Sequence, residues 1–431
     1  MLTREDLTLK LQSFSLWTFV FQLGVLVGIE AVFLAVFTEN AQFQVSYGFP
    51  ALTTVGLATS LYPIFAAIGA VLVLYLVHLT GPVVIICGAT FIWLIGYLVG
   101  SLLVGTISAL MAARIVKGLA IGLITSILPV YIERVAHSKR QAAKLLTLLQ
   151  AAAPLGILLM ALLAKLLTPL AFNVRWICAA APALPIVLVV FYLPHSRGVI
   201  NQAREKHQAS KCTERSAWSK MVSDIREIGH SKSYISRFIA ASLAQGAVPL
   251  TAINVVFYYS AVLCQMLGFS AEESEYMAIG LYATNFLGTA LSLLFINRLH
   301  RLVTLQYAIL GLGIVHIVLF LVRMAHECRP TINMLGIVSV ALLFGFVFLF
   351  SLLLAGISLV YTSEVVPKRT RGVSIGLATS FGWVCNFVVT IVSAAILPVV
   401  GSYIFLIFAS ICCTMYCTFS LMPQAIIALD E

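Results

Sequence analysis

Residues 361–387 read YTSEVVPKRTRGVSIGLATSFGWVCNF, and this stretch says most about how the chain folds. A short turn with one acidic and three basic side chains lies between two apolar runs that are too long for the core of a water-soluble domain. A blurred copy of the pattern, PVYIERVAHSKRQAAK, occupies residues 129–144. Two copies of one helix–turn–helix unit, roughly half a chain apart, predict a duplicated membrane bundle with charged turns at a membrane surface.

The composition indicates a membrane protein made of helices. Hydrophobic residues make up 61% of the chain, charged residues 10%, and the mean hydropathy is +1.05, so the chain would aggregate in water. About 20 consecutive apolar residues cross the hydrocarbon core as an α-helix. The sequence therefore predicts an all-α membrane protein with twelve transmembrane helices. They cover approximately residues 14–37, 52–77, 82–104, 107–131, 144–167, 174–193, 235–266, 272–296, 302–325, 332–361, 373–399 and 400–422.

Basic residues predict the orientation of these helices. If the N-terminus is inside, the cytoplasmic loops and tails hold all but six of the 26 Lys and Arg. Those six are Arg114, Lys117, Lys165, Arg175, Arg323 and Arg329. The asymmetry follows the positive-inside rule and predicts that both termini are cytoplasmic. The net charge of +10 then reflects topology and anionic lipid, and no basic-aromatic motif indicates a nucleic-acid partner.

One long polar stretch, residues 195–234, separates six predicted spans from six. We therefore expect an N-terminal six-helix bundle at 1–194, a cytoplasmic linker at 195–234 and a C-terminal six-helix bundle at 235–431. Apolar residues recur at helical spacing in the linker and favour short amphipathic helices, with a disordered linker as the alternative. This layout is typical of transporters built from parallel repeats, whose substrate site lies between the halves.

The sequence shows no pattern for catalysis or cofactor binding. The nine cysteines form no CxxC pair and no Cys/His metal spacing, so we interpret them as small buried hydrophobic residues. No P-loop or metal motif is present. We therefore expect no cofactor, no metal site and no enzymatic activity, and ATP-driven transport is disfavoured.

Polar side chains within the predicted spans are the candidates for a solute site, because such groups are costly in a membrane. Amides donate and accept hydrogen bonds and can read adjacent hydroxyl groups, and tryptophan offers a flat apolar face to a sugar. For any single amide, a hydrogen bond between helices is an equally good explanation, but the set favours a binding cavity. The candidates are Gln150, Asn254, Tyr258, Asn285, Trp383 and Asn386.

These residues carry a resemblance to a known family. The chain resembles the sugar porter family of the major facilitator superfamily over nearly its whole length, through INVVFYYS at 253–260, a YxxExxPxxxRG-type turn at 361–372 and WxxNF at 383–387. The resemblance implies the major facilitator fold with twelve helices in two halves. The positions that this family uses to contact sugar correspond here to Gln150, Asn254, Asn285, Trp383 and Asn386.

The sequence also departs from the family at sugar-contacting positions. The family's paired glutamines before the isoleucine–asparagine step are Val248 and Pro249 here. The tenth-span tryptophan is Leu359, and the asparagine before Trp383 is Gly382. Each buried hydrogen bond that is lost costs about 1–3 kcal/mol of recognition. The resemblance therefore does not by itself predict glucose as the solute.

Charged residues at the helix ends form a predicted inner gate, in which the resemblance implies that acids and arginines pair across the bundle. The second half keeps the family pattern, whereas the first-half acid is displaced to Glu133 and Arg134 takes its place. Isolated pairs at an interface are worth only about 0–1 kcal/mol each, so we expect a weak gate. The predicted members are Glu133, Arg134, Arg140, Arg298, Glu364 and Arg371.

Glu30 in the first span and Arg114 in the fourth are the candidates for proton coupling. Both lie about two helical turns from the outer ends of their predicted helices and should share one depth. Burial favours the protonated acid and a nearby cation favours the ionised acid, so such a pair can exchange a proton as it opens and closes. Proton-coupled members of the family use an aspartate at the position of Leu26, one turn before Glu30. A static structural pair with Lys117 nearby is the alternative.

Together these observations predict a secondary transporter that moves a small polar solute, a sugar or polyol of hexose-like size, by alternating access. Transport is either facilitated or coupled to H⁺ as symport. We expect a monomer in the plasma membrane, whose partners are the solute, membrane lipid and, in the coupled case, a proton. The alternative is a non-transporting nutrient sensor or receptor on the same fold. An exporter of drugs or organic anions is a third interpretation, which INVVFYYS and WxxNF disfavour.

Overall fold

The computed structural model describes residues 4–38, 52–103, 106–167, 214–258, 260–266, 268–328 and 333–422, and every regular element among them is a helix. The first half contains α1 (Arg4–Thr38), α2 (Leu52–Leu79), α3 (Pro82–Leu102), α4 (Ile107–Val135) and α5 (Lys139–Leu166). A shorter helix, α6 (Glu214–His230), precedes the second half. The second half contains α7 (Lys232–Leu250), α8 (Ile253–Tyr258), α9 (Ser260–Met266), α10 (Ala271–Phe295), α11 (Arg301–Cys328), α12 (Asn333–Leu349), a π-helical turn (Phe350–Ala355), α13 (Gly356–Val365), α14 (Arg371–Val400) and α15 (Tyr403–Ser420).

Eleven helical segments among the described residues are long and apolar enough to cross a membrane. Two of them combine consecutive elements: α7 continues into α8, and α12 continues through the π-helical turn into α13. They correspond to eleven of the twelve predicted spans, and the sixth predicted span, at 174–193, lies outside the described residues. The predicted all-helical membrane bundle is therefore confirmed for the part of the chain that is described.

Local sequence explains where several helices begin. The Ser138 side chain accepts a hydrogen bond from the Gln141 amide at the start of α5. Ser270 and Glu273 form a reciprocal capping box at the start of α10. Pro82 occupies the first turn of α3, where its missing N–H group has no helical partner to lose. These signals produce short turns, so consecutive long helices run antiparallel.

Helix α6 is the predicted amphipathic helix of the linker, and it lies against the helix bundle. Its Ile228 packs in a small apolar cluster with Leu74 of α2 and Val373 of α14. One side of α6 therefore contacts both halves. Residues 195–213 of the predicted linker lie outside the described part of the chain.

The two ends of the bundle are defined by the elements that lie at each. Helix α6 and the turns at 136–138 and 366–370 lie at one end, which we call the linker end. The opposite end, where α5 ends and α10 begins, is the far end. Each long helix runs from one end to the other, so a residue's place along its helix gives its height in the bundle.

The two halves pack through two main helix pairs, α2 with α14 and α5 with α10. Small residues permit the first contact. A Cβ atom added to Gly376 of α14 would lie 2.7 Å from the Leu74 side chain, and the Ser380 hydroxyl donates to the Ala67 carbonyl at 3.0 Å. A larger side chain at Gly376 would push α14 away from α2.

Two long segments of the second half are interrupted. Between α7 and α8, Ala252 adopts φ 70°, a left-handed conformation that is strained for a residue with a Cβ atom. His316 of α11 supports this break, since its Nε2 lies 3.0 Å from the Thr251 carbonyl oxygen. The π-helical turn between α12 and α13 is the second interruption. Such irregular backbone commonly lies beside functional sites.

Candidate functional site

A cavity of about 210 Å³ lies between the two halves. Helices α1, α4 and α5 form one wall, and α7, α8, α13 and α14 form the other. None of the described residues that line it carries a charge. The volume is below the roughly 300–1,000 Å³ of sites for drug-sized ligands, so it suits a smaller solute. The polar and aromatic lining consists of Thr125, Gln150, Gln245, Asn254, Thr379, Trp383 and Asn386.

Hydrogen bonds orient three of these side chains. The Trp383 indole N–H donates to the Thr125 hydroxyl at 3.1 Å and so connects α14 to α4 across the two halves. The Gln245 amide donates to the Thr362 hydroxyl at 3.0 Å. The Asn386 Oδ1 atom accepts from the threonine one turn later in α14, at 3.2 Å. Each amide keeps further donor or acceptor capacity for a solute.

The cavity brings together four of the six side chains that the sequence suggests for solute binding. They come from three helices that are far apart in the sequence, so no spacing rule connects them. Trp383 and Asn386 lie one turn apart and share a face of α14. The four residues that line the cavity are Gln150, Asn254, Trp383 and Asn386.

Asn285 and Tyr258 lie outside the cavity wall. Asn285 is 3% exposed, and its Oδ1 accepts a hydrogen bond from the Ser351 hydroxyl at 2.6 Å, which joins α10 to the π-helical turn. The Tyr258 side chain is partly buried against the hydrophobic core and is close enough to Glu30 and Arg114 to feel their charges. The structure therefore fits the alternative explanation for Asn285, in which its amide connects two helices.

Sequence reasoning missed Gln245, Thr125 and Thr379. Gln245 lies one helical turn before Val248, the position at which the resembling family has a glutamine, so a search along the same helix face would have found it. The two threonines carry no signal, because short hydroxyl side chains are common in membrane helices. Leu359, at the position of the expected tryptophan, does line the cavity.

Beside the cavity, the carboxylate of Glu30 contacts two cations in a buried group that we call the Glu30 cluster, consisting of Glu30, Arg114, Lys117 and Trp93. The Arg114 Nη1 atom donates to Oε1 at 2.9 Å, and the Lys117 Nζ atom lies 2.9 Å from Oε2. The Trp93 indole N–H donates to Oε2 at 3.3 Å. Glu30 and Arg114 are each 1% exposed and Lys117 is 4% exposed. The two candidates for proton coupling are thus in contact, together with a third charge.

Tyr62 of α2 separates the Glu30 cluster from the cavity. The guanidinium carbon of Arg114 lies 4.9 Å from the centre of the Tyr62 ring. The same ring packs edge-on against the indole of Trp383, with 5.5 Å between centroids. Tyr62 Oη and Arg114 Nη2 are buried and have no hydrogen-bond partner among the described residues. One aromatic ring therefore lies between the charges and the cavity.

Ion pairs at the linker end differ in part from the predicted gate. Arg371 Nη1 lies 3.2 Å from Glu133 Oε2 and joins α14 to α4, which belong to different halves. Glu364 pairs with Arg301, whose Nε lies 3.2 Å from Oε2. The expectation for Arg298 is corrected, because that side chain is exposed in the turn before α11 while Arg301 begins the helix that faces α13.

Arg134 and Arg140 are also outside the gate. Both side chains are exposed, and the described residues show no ion pair for either. Arg134 follows Glu133 directly in α4, and neighbouring residues of a helix point in different directions, so only one of the two can face α14.

Helix α6 supplies two further ion pairs at the linker end. Asp224 Oδ2 lies 3.3 Å from His78 Nε2 of α2, and Glu227 Oε2 lies 2.9 Å from Arg369 Nε in the turn before α14. Burial raises the pKa of the Asp224 carboxyl, and the facing His78 opposes this shift. The linker helix thus pairs with one residue from each half.

An ion pair joins the halves at the far end as well. Lys165 Nζ, near the end of α5, lies 2.5 Å from Glu275 Oε2, near the start of α10. The same ammonium group lies 4.8 Å from the centre of the Tyr276 ring. Contacts between the halves therefore exist at both ends of the bundle, and the cavity lies between them.

Comparison with known proteins gives a family match over nearly the whole chain. The model of the family described as "Sugar (and other) transporter" matches residues 11–425. The chain is 25% identical over 343 residues to the putative metabolite transport protein YwtG of Bacillus subtilis, covering 76% of this chain and 74% of that protein. It is 26% identical over 395 residues to the facilitated trehalose transporter Tret1 of Bombyx mori, covering 84% and 76%. It is 27% identical over 326 residues to facilitated glucose transporter member 2 of Mus musculus, covering 70% and 61%.

Solved structures show the same fold. The proton:xylose symporter XylE bound to 6-bromo-6-deoxy-D-glucose superposes with a TM-score of 0.74 at 20% identity, covering 97% of this chain and 99% of that chain. The human organic anion transporter MFSD10 superposes with a TM-score of 0.67 at 14% identity, covering 95% and 98%. The likeness establishes the fold of the major facilitator superfamily.

Proposed function

Since the chain belongs to the sugar (and other) transporter family, we propose that it is a secondary transporter that moves a small neutral polar solute, a sugar or a polyol, by alternating access. The observation that carries this proposal is the cavity between the halves, with uncharged amides and Trp383 in its wall. Relatives named for the transport of trehalose and glucose support the same solute class.

The chemistry of the cavity wall fits a polyhydroxylated solute. An uncharged wall gives no counter-charge to an anion or a cation, whereas amides pair with hydroxyl groups as both donors and acceptors. The face of Trp383 suits the C–H surface of a sugar ring. Leu359 replaces a hydrogen-bonding tryptophan with an apolar side chain, so we expect a solute with fewer recognised hydroxyl groups on that side.

The ion pairs at the two ends support alternating access. Glu133 with Arg371 joins the halves at the linker end, and Lys165 with Glu275 joins them at the far end. Partly exposed pairs of this kind are weak, about 0–1 kcal/mol each, so either can break without a large cost. A transporter needs this property, because its two ends must open in turn.

We further propose that a proton accompanies the solute and that the Glu30 cluster binds it. The cluster lies one aromatic ring from the cavity, through Tyr62 and Trp383. Solute that contacts Trp383 can therefore influence the charges, and by reciprocity the charges can influence the affinity for solute.

The membrane arrangement is also a proposal. Basic residues concentrate in the turns at the linker end, so we place that end and both termini in the cytoplasm. The parts at 1–194, 195–234 and 235–431 are then a bundle, a cytoplasmic linker and a second bundle. We also propose that the protein works as a monomer in the plasma membrane.

Solute counterflow in proteoliposomes tests the proposal. Purified protein is reconstituted with one unlabelled sugar or polyol inside, and the entry of labelled solute is followed across a broad panel. We expect rapid exchange for a subset of neutral sugars or polyols. Absence of exchange for every member of the panel, with folded protein in the vesicles, would refute the proposed transport.

A matched pair of variants ties the exchange to the cavity. Asn254→Ala removes an amide from the cavity wall, whereas Asn297→Ala removes an exposed amide from the turn before α11. Loss of one buried hydrogen bond corresponds to about 1–3 kcal/mol of solute affinity. We expect a higher solute concentration for half-maximal exchange in Asn254→Ala, and unchanged exchange in Asn297→Ala.

A further inference from the structure

The Glu30 cluster contains one more positive charge than negative charge. Its charged members are the carboxylate of Glu30 and the cations of Arg114 and Lys117, all nearly inaccessible to solvent. Other titratable groups that face it carry phenols, which are neutral at ordinary pH. These are Tyr62 of α2, Tyr97 of α3 and Tyr258 of α8. Among the described residues, the acids and bases at the two ends of α4 and α5 belong to the end ion pairs or are exposed.

We infer that Lys117, and not Glu30, is the group that releases and regains the coupled proton. The inference rests on the proposed proton-coupled transport. A proton added to Glu30 would leave two buried positive charges, and an arginine does not give up its proton in a protein. Release from Lys117 is the one single-proton change that makes the cluster neutral, and a buried net charge is costly.

The contacts of Glu30 support the same assignment. Its two oxygens receive hydrogen bonds from Arg114 and Trp93 and also contact Lys117, and donors to a carboxylate favour the ionised form. Glu30 therefore remains the fixed negative charge of the cluster.

The contacts of Lys117 are compatible with either charge state. After the ammonium group gives a proton to water, the remaining amine can still donate an N–H to Glu30 Oε2 at the 2.9 Å contact. The Phe33 ring, 4.7 Å from Nζ, favours the cation, while burial favours the amine. The step breaks one N–H bond, forms one O–H bond in water and changes no other bond.

The second half covers this cluster on the cavity side and so connects protonation to transport. Tyr258 is close enough to Glu30 and Arg114 to feel their charges, and Trp383 packs against the Tyr62 ring that lies next to the guanidinium group. When the halves separate at one end, water reaches the cluster and can take the Lys117 proton or return it. When they close, no proton acceptor remains, so Lys117 crosses in the charge state that it took from the open side, and a proton bound together with solute is carried across.

Lys117→Arg gives the sharpest test, because arginine keeps the charge and the hydrogen bond to Glu30 but cannot release the proton. We expect the variant to exchange labelled sugar by counterflow and to lose accumulation driven by a proton gradient. We also expect a flat pH profile of sugar affinity, where the wild type changes by up to about tenfold per pH unit.

A second variant keeps the inference testable if Lys117→Arg does not fold. Lys117→Met removes the titratable group and leaves the neutral pair of Glu30 and Arg114, and it should also exchange without accumulation. Lys144→Arg and Lys144→Met are the matched controls, since Lys144 is an exposed lysine of α5. Both controls should accumulate sugar like the wild type.

The outcomes separate this inference from the proposed function. Wild-type counterflow with proton-driven accumulation, both retained in Lys117→Arg, would overturn the role of Lys117 and leave the transporter intact. Wild-type counterflow without accumulation would overturn the inference as well, since no proton is then coupled. Folded Lys117→Arg and Lys117→Met that both fail to exchange would also overturn the inference, because Lys117 would then be needed for solute exchange and not only for proton coupling. Absence of wild-type counterflow refutes the proposed function, and the inference with it.

Discussion

The cavity and the Glu30 cluster are neighbours, separated by the Tyr62 ring, but they are built differently. The cavity offers about 210 Å³ of space with neutral polar groups in its wall. In the cluster two cations contact one carboxylate, and each charged residue is no more than 4% exposed. The first region can admit a solute and read its hydroxyl groups. The second is closed to solvent and holds groups that can gain or lose a proton.

The difference shows how one helix bundle can recognise a solute in one place and bind a proton in another. Neutral amides recognise a solute without a large desolvation cost, so binding and release both remain easy. Charges are kept away from the solute and are only partly neutralised by each other, at a place where gain or loss of one proton changes the net charge of the whole group. Trp383 lines the cavity and packs against Tyr62, which in turn contacts Arg114, so these two rings connect the two regions.

The largest expected effect comes from removing the acid of the cluster. Glu30→Gln leaves Arg114 without its counter-charge even if Lys117 becomes neutral, and breaking a buried ion pair by removal of one partner costs about 3–5 kcal/mol. We expect a clearly lower thermal unfolding midpoint of the purified protein in detergent. Glu272→Gln, at an exposed position early in α10, is the control and should unfold like the wild type.

Equal unfolding midpoints for Glu30→Gln and Glu272→Gln would break the comparison. The cluster would then not be an interdependent group of charges, and its contrast with the cavity would be only one of composition.

A smaller effect is expected from the amides, and it separates the cavity from its surroundings. Asn386→Ala removes a lining amide and should weaken solute binding by about 1–3 kcal/mol. Asn285→Ala removes an amide that bonds to Ser351 outside the cavity, so it should lower stability and leave solute affinity unchanged. Titration of solute against intrinsic fluorescence, with unfolding curves for each variant, measures both quantities.

If Asn285→Ala weakens solute binding as much as Asn386→Ala, the solute site extends beyond the cavity described above. Asn285 would then contact solute in another conformation of the bundle, as the resemblance to sugar porters implies.

The smallest effect concerns the linker end. Arg371→Gln removes the cross-half partner of Glu133, and a partly exposed pair contributes only about 0–1 kcal/mol. We expect a modest rise in the population that is open at the linker end, measured by the labelling rate of one cysteine introduced into the cavity wall of a variant whose nine native cysteines are replaced. Arg140→Gln, at an exposed position without an ion pair in the described structure, should label at the wild-type rate. A similar labelling rate for both variants would indicate that α6 rather than this pair closes the linker end.

Individual residues show how far the sequence was informative. The eleven spans that the structure describes were predictable because the length of an apolar run is a property of a single helix. Trp383 and Asn386 were predictable because they share one face of one helix. Arg298 was wrongly preferred over Arg301, since the two lie three residues apart and only the start of α11 decides which one reaches Glu364.

The amino-acid sequence alone was enough for a helical membrane bundle in two halves, for a family resemblance and for a set of polar residues that belong within it. These follow from composition and from periodicity along single helices, which are local properties. The fold decided that Gln150 and Asn386 share a cavity, that Asn285 bonds to Ser351 instead, and that Glu30 has two cations rather than one. Those outcomes depend on how each helix is rotated against its neighbours, and many weak contacts along its whole length determine that rotation.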